Sequence, residues 1–529
     1  MSTTNRREFV HRLLAGSGVL ATGSWHRGFA QTKGPARVVC DTSRVRADLD
    51  RHLLGSFLEH LGRAIYTGIY EPGSPLADAN GFRKDVIEEV RTLGVPIVRY
   101  PGGNFVSGYR WQDGVGPKEQ RPRVLDRAWN TIEPNQFGTN EYIGWCRAVG
   151  TEPLLAVNLG NGTPENAAAL VEYCNIDSGT RWSDLRRQHG AASPHNVKFW
   201  CLGNEMDGNW QIGHMPATEY GLKAADAARQ MRAVDRTLQL VACGSSGPGM
   251  ATYLEWDRQV LEQCYNEVDY ISLHRYYGNS GETNSDSSRY LALNLDMEKQ
   301  IQEIAAVCDY VRGLRKSSKR LSLSFDEWNV WYRARGGDGK AQEAPHLLEE
   351  VYNLEDALLV GGLINTLLRH ADRVRIACLA QLVNVIAPLV TNREGVLRQT
   401  IYYPYAWALH HARGQVLDLL LESESYEVPR LGQVPFVDIV ATADAGEQCL
   451  LMLNRDLANE REVTVTWASA APARVLGVET LTGADLKASN SFDQPNRVVP
   501  QRLDAPKPGA KMTFKLPPRS YTAARLATA

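Results

Sequence analysis

Phe82-Arg83-Lys84-Asp85-Val86-Ile87-Glu88-Glu89-Val90 carries its apolar residues at helical spacing, and the Val95–Tyr100 run that follows is short and β-branched. The same alternation continues on both sides of this pair. Short apolar runs recur at Gly55–Glu59, Pro153–Asn158, Val197–Leu202, Leu238–Cys243, Tyr270–His274, Leu321–Phe325 and Arg375–Gln381. Amphipathic segments lie between them at Phe82–Leu93, Asn140–Val149, Pro164–Cys174, Ala217–Val234, Tyr253–Cys264, Leu293–Leu314 and Leu348–Arg369. Eight strand runs alternating with amphipathic segments predict an α/β fold, a closed (β/α)8 TIM barrel over residues 50–398 with enlarged loops. The competing open, doubly wound sheet usually carries a Gly-rich phosphate loop after its first strand. The one match to that pattern, Gly16–Ala21, follows no strand.

The last quarter of the chain changes character. Phe436-Val437-Asp438-Ile439-Val440, Leu450-Leu451-Met452, Val463-Thr464-Val465-Thr466-Trp467 and Met512-Thr513-Phe514 are short runs punctuated by Gly, Pro and Asn. They predict a C-terminal antiparallel β-sandwich over residues 399–529, with residues 36–49 adding a strand through Ala36-Arg37-Val38-Val39-Cys40. In 529 residues, 43% hydrophobic and 22% charged, Lys+Arg 58 against Asp+Glu 60 leaves a net charge of −2. Mean hydropathy is −0.33. A disordered chain, a polytopic membrane protein and a nucleic-acid binder relying on bulk charge are thereby excluded.

Nine cysteines are too sparse for a disulfide scaffold, and Cys146, Cys174, Cys201, Cys243, Cys264, Cys308 and Cys378 sit singly in apolar surroundings. No Cys-x-x-Cys or His-Glu-x-x-His occurs, so buried free thiols are expected and no metal is. At the N-terminus Arg6-Arg7 precedes the weakly apolar run Leu13–Ala21, and Gly28-Phe29-Ala30 offers a cleavage site. Residues 1–30 resemble a twin-arginine signal peptide. A periplasmic or secreted protein is expected, and a cytoplasmic one if the leader does not function.

In such a barrel the active site lies where the strands end at their C-terminal side. Polar residues collect there: Glu59-His60, Arg99 and Asn104, Asn204-Glu205, His274 and Tyr276, Asp326-Glu327, and Gln381, with Trp111, Trp210 and Trp331 in adjoining loops. Two carboxylates with amide and aromatic neighbours suit glycoside hydrolysis, which needs an acid for the leaving oxygen and a carboxylate for the oxocarbenium-like centre. Strand alternation makes Asp326 a structural partner, its neighbour taking the catalytic direction.

Phe57-Leu58-Glu59-His60-Leu61-Gly62-Arg63-Ala64-Ile65-Tyr66 resembles the opening signature of glycoside hydrolase family fifty-one, the α-L-arabinofuranosidases. Arg99-Tyr100-Pro101-Gly102-Gly103-Asn104-Phe105, Leu202-Gly203-Asn204-Glu205-Met206-Asp207-Gly208, Ser272-Leu273-His274-Arg275-Tyr276-Tyr277 and Phe325-Asp326-Glu327-Trp328-Asn329-Val330-Trp331 resemble its later blocks in order. The resemblance implies a retaining double displacement with Glu205 as acid/base and Glu327 as nucleophile. It implies that Glu59, Asn104, Asn204 and Gln381 hold the furanose hydroxyls, with His274 beside them. Trp111, Trp210 and Trp331 would form the leaving-group platform. Arg99 and the Tyr276 hydroxyl, if they reach Glu327, would keep it ionised and so favour a protonated Glu205.

The implied activity is exo-release of terminal α-L-arabinofuranosyl groups from arabinan, arabinoxylan or arabino-oligosaccharides. An endo-β-glucanase or xylanase on the same barrel is the alternative. No cofactor, nucleic acid or membrane partner is expected, and the resemblance implies a homo-oligomer such as a hexamer. A carbohydrate-binding protein without activity would be marked by loss of a glutamate, and both are present. Gly244-Ser245-Ser246-Gly247 approaches a nucleophile elbow, but Pro248 stands where that motif needs Gly.

Overall fold

The computed structural model describes residues 34–335 and 339–528. The expected leader, residues 1–30, lies outside the described residues. Eight parallel strands close a barrel in chain order: Gly55–Phe57, Ile97–Tyr100, Glu152–Val157, Phe199–Leu202, Gln239–Ala242, Tyr270–Tyr277, Ser322–Val330 and Val374–Ala380. Phe57, Ile97, Leu154, Phe199, Val241 and Ile376 fill the interior. The alternate residues pack outward against the helices, as the two-residue period of a strand requires.

The sixth and seventh strands depart from that period. Their pairing shifts between Ser272 and His274, and the seventh slips against the eighth between Phe325 and Trp328. Phe325 and Trp328 both belong to the outer core, and the two residues between them, Asp326 and Glu327, both turn inward to contact Arg99. Strict alternation, which would part Asp326 from Glu327, therefore fails at this point.

Two helices near the barrel depart clearly from the sequence pattern. The helix expected from Leu348 starts at Leu354, because the Asn353 side chain caps it by accepting from the Asp356 amide at 3.0 Å. The helix Tyr402–His411 lies beyond residue 398, in the stretch assigned to the sandwich, yet Tyr405 donates its hydroxyl to the carbonyls of Leu54 and Gly55 in the barrel. Tyr402–Leu409 is buried all round, so it shows no polar face to read.

The C-terminal domain is mostly antiparallel. A seven-stranded sheet runs Val45–Asp48, Gln415–Leu417, Val437–Asp444, Glu447–Asn454, Ser520–Ala527, Arg474–Leu481 and Gln501–Arg502. It packs on a four-stranded sheet of Leu420–Glu422, Ala36–Cys40, Arg461–Trp467 and Lys511–Leu516 through Val38, Ile439, Leu450, Val465 and Phe514. Ala36–Cys40 lies inside this sheet and runs parallel to Arg461–Trp467. All nine cysteines are free and buried. Among the described residues no helix is long and apolar enough to cross a membrane.

A buried ionic cluster joins the two domains. Arg455 donates to the Leu291 carbonyl, to Asn294 Oδ1 and to Asp438 Oδ2, the last two at 2.8 Å. Arg369 of the barrel helix Leu354–Arg369 donates to the other Asp438 oxygen. Replacing Asp438 with Ala leaves the buried Arg455 and the half-buried Arg369 without their shared carboxylate. Asp438→Ala should lower the unfolding free energy by about 3–5 kcal/mol, read from urea denaturation. A loss below about 1 kcal/mol would mean that the cluster does not hold the domains together.

Candidate active site

Arg99 is the one charged residue of the second barrel strand, and its guanidinium is fully buried. It donates from Nη1 to Glu327 Oε1 at 2.6 Å and from Nη2 to Asn204 Oδ1 at 2.7 Å, while Nε lies 3.4 Å from Asp326 Oδ2. Burial alone would weaken its charge, but the carboxylates of Asp326 and Glu327 outweigh it and hold the group firmly cationic. Tyr276 donates its hydroxyl to Glu327 Oε2 at 2.9 Å. Burial, and then the charges of Glu327 and Glu205, push the Tyr276 phenol well above its usual range, so it stays a donor.

Glu205 reaches the same space from the end of the fourth strand. Gly203 has φ 93° and Glu205 φ 44°, a left-handed turn that aims the carboxyl back over the barrel. His274 Nδ1 lies 2.9 Å from Glu205 Oε1, and His274 Nε2 lies 3.1 Å from Asp326 Oδ1. Burial would depress the imidazole, but the charges and hydrogen bonds of Glu327, Asp326 and Glu205 prevail and raise it well above its ordinary value. As an imidazolium, His274 donates to both partners. Trp210 donates its indole N–H to Glu205 Oε2 at 2.8 Å.

Carboxylate oxygens of Glu205 and Glu327 and a ring nitrogen of His274 all lie within 4.8 Å of one another. Three such groups meet the spacing for a cation, but each is engaged: Glu327 by Arg99 and Tyr276, Glu205 by Trp210, and His274 by Glu205 and Asp326. Two fixed cations already answer the acids here.

Glu59 follows the end of the first strand, close enough to Glu327 to feel its charge. Its Oε1 accepts the Phe105 amide and the Trp129 indole N–H, each at 2.9 Å, and its own amide donates to Gln381 Oε1 at 2.9 Å. A Cβ on Gly103 would stand 2.3 Å from Glu59 Oε2, which explains the second glycine of Pro101-Gly102-Gly103-Asn104. Asn204 Nδ2 approaches Asn104 Oδ1 at 3.4 Å. Burial, and then the charge of Glu327, push the Glu59 carboxyl up to about 8, against the two donors.

Trp129 rides on a hairpin, Val124–Asp126 paired with Thr131–Glu133. Glu133 fixes that hairpin to the barrel by bonding His60 Nδ1 at 2.7 Å and accepting from the Tyr66 hydroxyl at 2.5 Å. The loop after the seventh strand locks onto it: Ile132 N donates to Gln342 O at 3.1 Å, Asn130 Nδ2 to Gly339 O at 3.3 Å, and Arg123 pairs with Glu343.

Most of the residues singled out from sequence thus meet in one place: Arg99, Asn104, Asn204, Glu205, His274, Tyr276, Glu327, Glu59 and Gln381. Trp210 is 49% exposed at the rim, and Trp331 packs edge-on against Tyr276 with ring centroids 5.5 Å apart. Trp111 does not join them. Only 5% exposed, it packs against Tyr173 and Trp182, so it offers no platform to a leaving group. Trp129 was missed because its hairpin interrupts the strand-then-helix rhythm; a Trp inside so long a loop at the strand ends was the available signal.

Residues 89–314 match the family model described as the α-L-arabinofuranosidase 1 domain, and residues 326–520 that of the α-L-arabinofuranosidase C-terminal domain. An intracellular exo-α-(1→5)-L-arabinofuranosidase 1 from Bacillus subtilis is 48% identical over 470 residues, covering 88% of this chain and 93% of its own. The chain belongs to the family 51 α-L-arabinofuranosidases. Within that family an exo-α-(1→6)-L-arabinofuranosidase from Bifidobacterium longum is 44% identical over 507 residues, covering 92% of this chain and 96% of its own. The structure of a family 51 α-L-arabinofuranosidase from Bifidobacterium longum superimposes with TM-score 0.89 at 40% identity, covering 94% of this chain and all of that one.

The raised Glu59 carboxyl gives this family 51 chain a pH signature. Its folded value, about 8, exceeds the ordinary 4.5, so its contribution to stability is complete below about pH 4.5. That contribution is lost as pH rises toward 8, at up to ~1.4 kcal/mol per pH unit. Thermal melts should show Glu59→Gln with a flatter pH dependence than the parent between those limits. Parallel curves would place the Glu59 carboxyl in its ordinary range.

Proposed function

We propose that the chain is a retaining, exo-acting α-L-arabinofuranosidase that removes terminal non-reducing α-L-arabinofuranosyl groups from arabinan, arabinoxylan and their oligosaccharides. The observation that carries this reading is the close approach of two differently held carboxylates, Glu205 and Glu327. Retention works with carboxyl groups about 5–5.5 Å apart, whereas inversion needs roughly 6.5–9.5 Å to admit a water.

Glu327 attacks the anomeric carbon while Glu205 gives its proton to the departing glycosidic oxygen. Arg99 and Tyr276 fix both oxygens of Glu327, leaving it one orientation toward the sugar. Once the arabinosyl-enzyme forms, Glu205 takes a proton from water as the water oxygen attacks the same carbon, breaking its bond to Glu327 and releasing arabinose. His274 keeps Glu205 in place through both halves of the cycle. Asn104, Asn204, Gln381 and a protonated Glu59 address the furanose hydroxyls, with the Asn204 bond to the 2-hydroxyl tightening in the transition state.

Exo action follows from the locked hairpin. Trp129 on Glu59 and the hairpin's bridge to the seventh-strand loop close one end of the site, as a single terminal sugar requires and a continuous polymer does not allow. An endo-β-glucanase or xylanase would need that end open, and this reading is not favoured. For location, the Bacillus subtilis relative's printed name favours the cytoplasm over the export suggested by Arg6-Arg7.

NMR of the first-formed sugar from an aryl arabinofuranoside should show the α anomer, and a β product would overturn retention. Glu327→Ala should abolish turnover of every substrate. Glu205→Ala should cut kcat/KM on arabino-oligosaccharides by roughly 10²–10⁴-fold while sparing aryl substrates with good leaving groups, whose turnover azide then restores. Equal, modest losses in both variants on all substrates would defeat these roles.

A further inference from the structure

The two serines that approach a nucleophile elbow have a different use. Ser245 and Ser246 follow the fifth barrel strand, Gln239–Ala242, and donate to two separate carboxylates. Ser245 gives its amide to Asp257 Oδ1 at 2.9 Å and its hydroxyl to Asp257 Oδ2 at 2.5 Å. Asp257 is fully buried in the first turn of the helix Glu255–Cys264. Ser246 gives its amide to Asp207 Oδ2 at 3.0 Å and its hydroxyl to Asp207 Oδ1. A Cβ on Gly244 would stand 2.2 Å from Ser272 O and 2.8 Å from Asp257 Oδ1, so the serines rest on a tightly packed base.

Asp207 stands two residues after Glu205, in the turn that carries the acid/base. Glu205 has φ 44°, a conformation that a residue with a side chain keeps only where its surroundings fix it. Gly208 N donates to Glu205 O at 2.9 Å and Met215 N to Met206 O at 3.2 Å, bonds that stay within the loop after the fourth strand. The two bonds from Ser246 come from the loop of the next strand and anchor the turn to the barrel. His274 and Trp210 hold the Glu205 carboxyl, whereas Asp207 holds the backbone that bears it. Burial pushes the Asp207 carboxyl up, the two Ser246 bonds pull it back, and the charge of Glu205 adds to the rise.

We propose that Asp207, by accepting both hydrogen bonds of Ser246, sets the turn that aims Glu205 at the glycosidic oxygen. It acts through Glu205, as a positioning residue. The inference rests on the arabinofuranosidase reading with Glu205 as acid/base, and adds a residue to that machinery. A misaimed acid slows departure of a group that needs a proton far more than of one that leaves unaided. Attack by Glu327 keeps its own supports, Arg99 and Tyr276.

The test is Asp207→Ala on a phenyl and a nitrophenyl α-L-arabinofuranoside, a poor and a good leaving group on the same sugar. For the phenyl substrate kcat/KM should fall about tenfold, while for the nitrophenyl substrate it should change little. Nitrophenyl kcat should drop, because Glu205 also activates the water, and azide should restore it as it does not in the parent. Asp207→Asn should recover most of the loss, its amide oxygen accepting the Ser246 N–H and its NH2 donating to the Ser246 hydroxyl oxygen. Ser246→Ala keeps the amide bond, removes the hydroxyl bond and should show the same split more weakly. It decides the matter if Asp207→Ala does not fold. Parent-like kinetics, equal losses on both substrates, no response to azide, or an Asp207→Asn no better than Asp207→Ala would overturn the role. A parent active on both substrates leaves the arabinofuranosidase reading standing whichever way the variants fall. A parent active on neither would overturn that reading, and the role with it.

Discussion

A single buried guanidinium organises this molecule's chemistry. A charge as enclosed as that of Arg99 persists only where several acceptors meet it, and removal of any one would leave an unanswered charge in the interior. Its acceptors come from the fourth and seventh strands, so the cation ties those strand ends to the second. The broken alternation at Asp326-Glu327 makes this possible, since a regular strand would offer Arg99 only one of the two acids.

Charge balance extends the same logic. Glu59, raised by burial and by Glu327, holds its proton at neutral pH. Arg99 and His274 then face Asp326, Glu327 and Glu205. Two cations thus face three carboxyl groups, and in the proposed mechanism Glu205 is the one that hands a proton to the leaving oxygen. Substrate hydroxyls replace no charge, so this balance survives binding.

Much of the architecture was legible because barrel strands are short apolar runs separated by amphipathic helices, and each of the eight runs overlaps a barrel strand. Polar residues at their C-terminal ends, such as Asn204-Glu205 after Val197–Leu202, stood out against that apolar background. Residues acting from loops were harder to read. Trp129 and Trp111 look alike as sequence, yet one touches Glu59 and the other packs on Tyr173 and Trp182. Which indole faces the site depends on a hairpin pinned by His60 and Glu133, a contact between distant segments with no local pattern. Tyr402–His411 was hidden for a different reason: a helix buried on every face has no amphipathic period.

The parallel strand Ala36–Cys40 has a consequence for how the chain is made. Val38 pairs with Leu421 on one side and Val465 on the other, so this early-made strand must wait for partners that emerge much later in synthesis. The barrel segment between can be translated and assembled while that N-terminal strand remains unpaired, and the small domain closes only after release. Assembly is thereby ordered in time, barrel first and clasp last, and a nascent chain stalled before residue 461 would display an unsatisfied strand edge to whatever chaperone attends it.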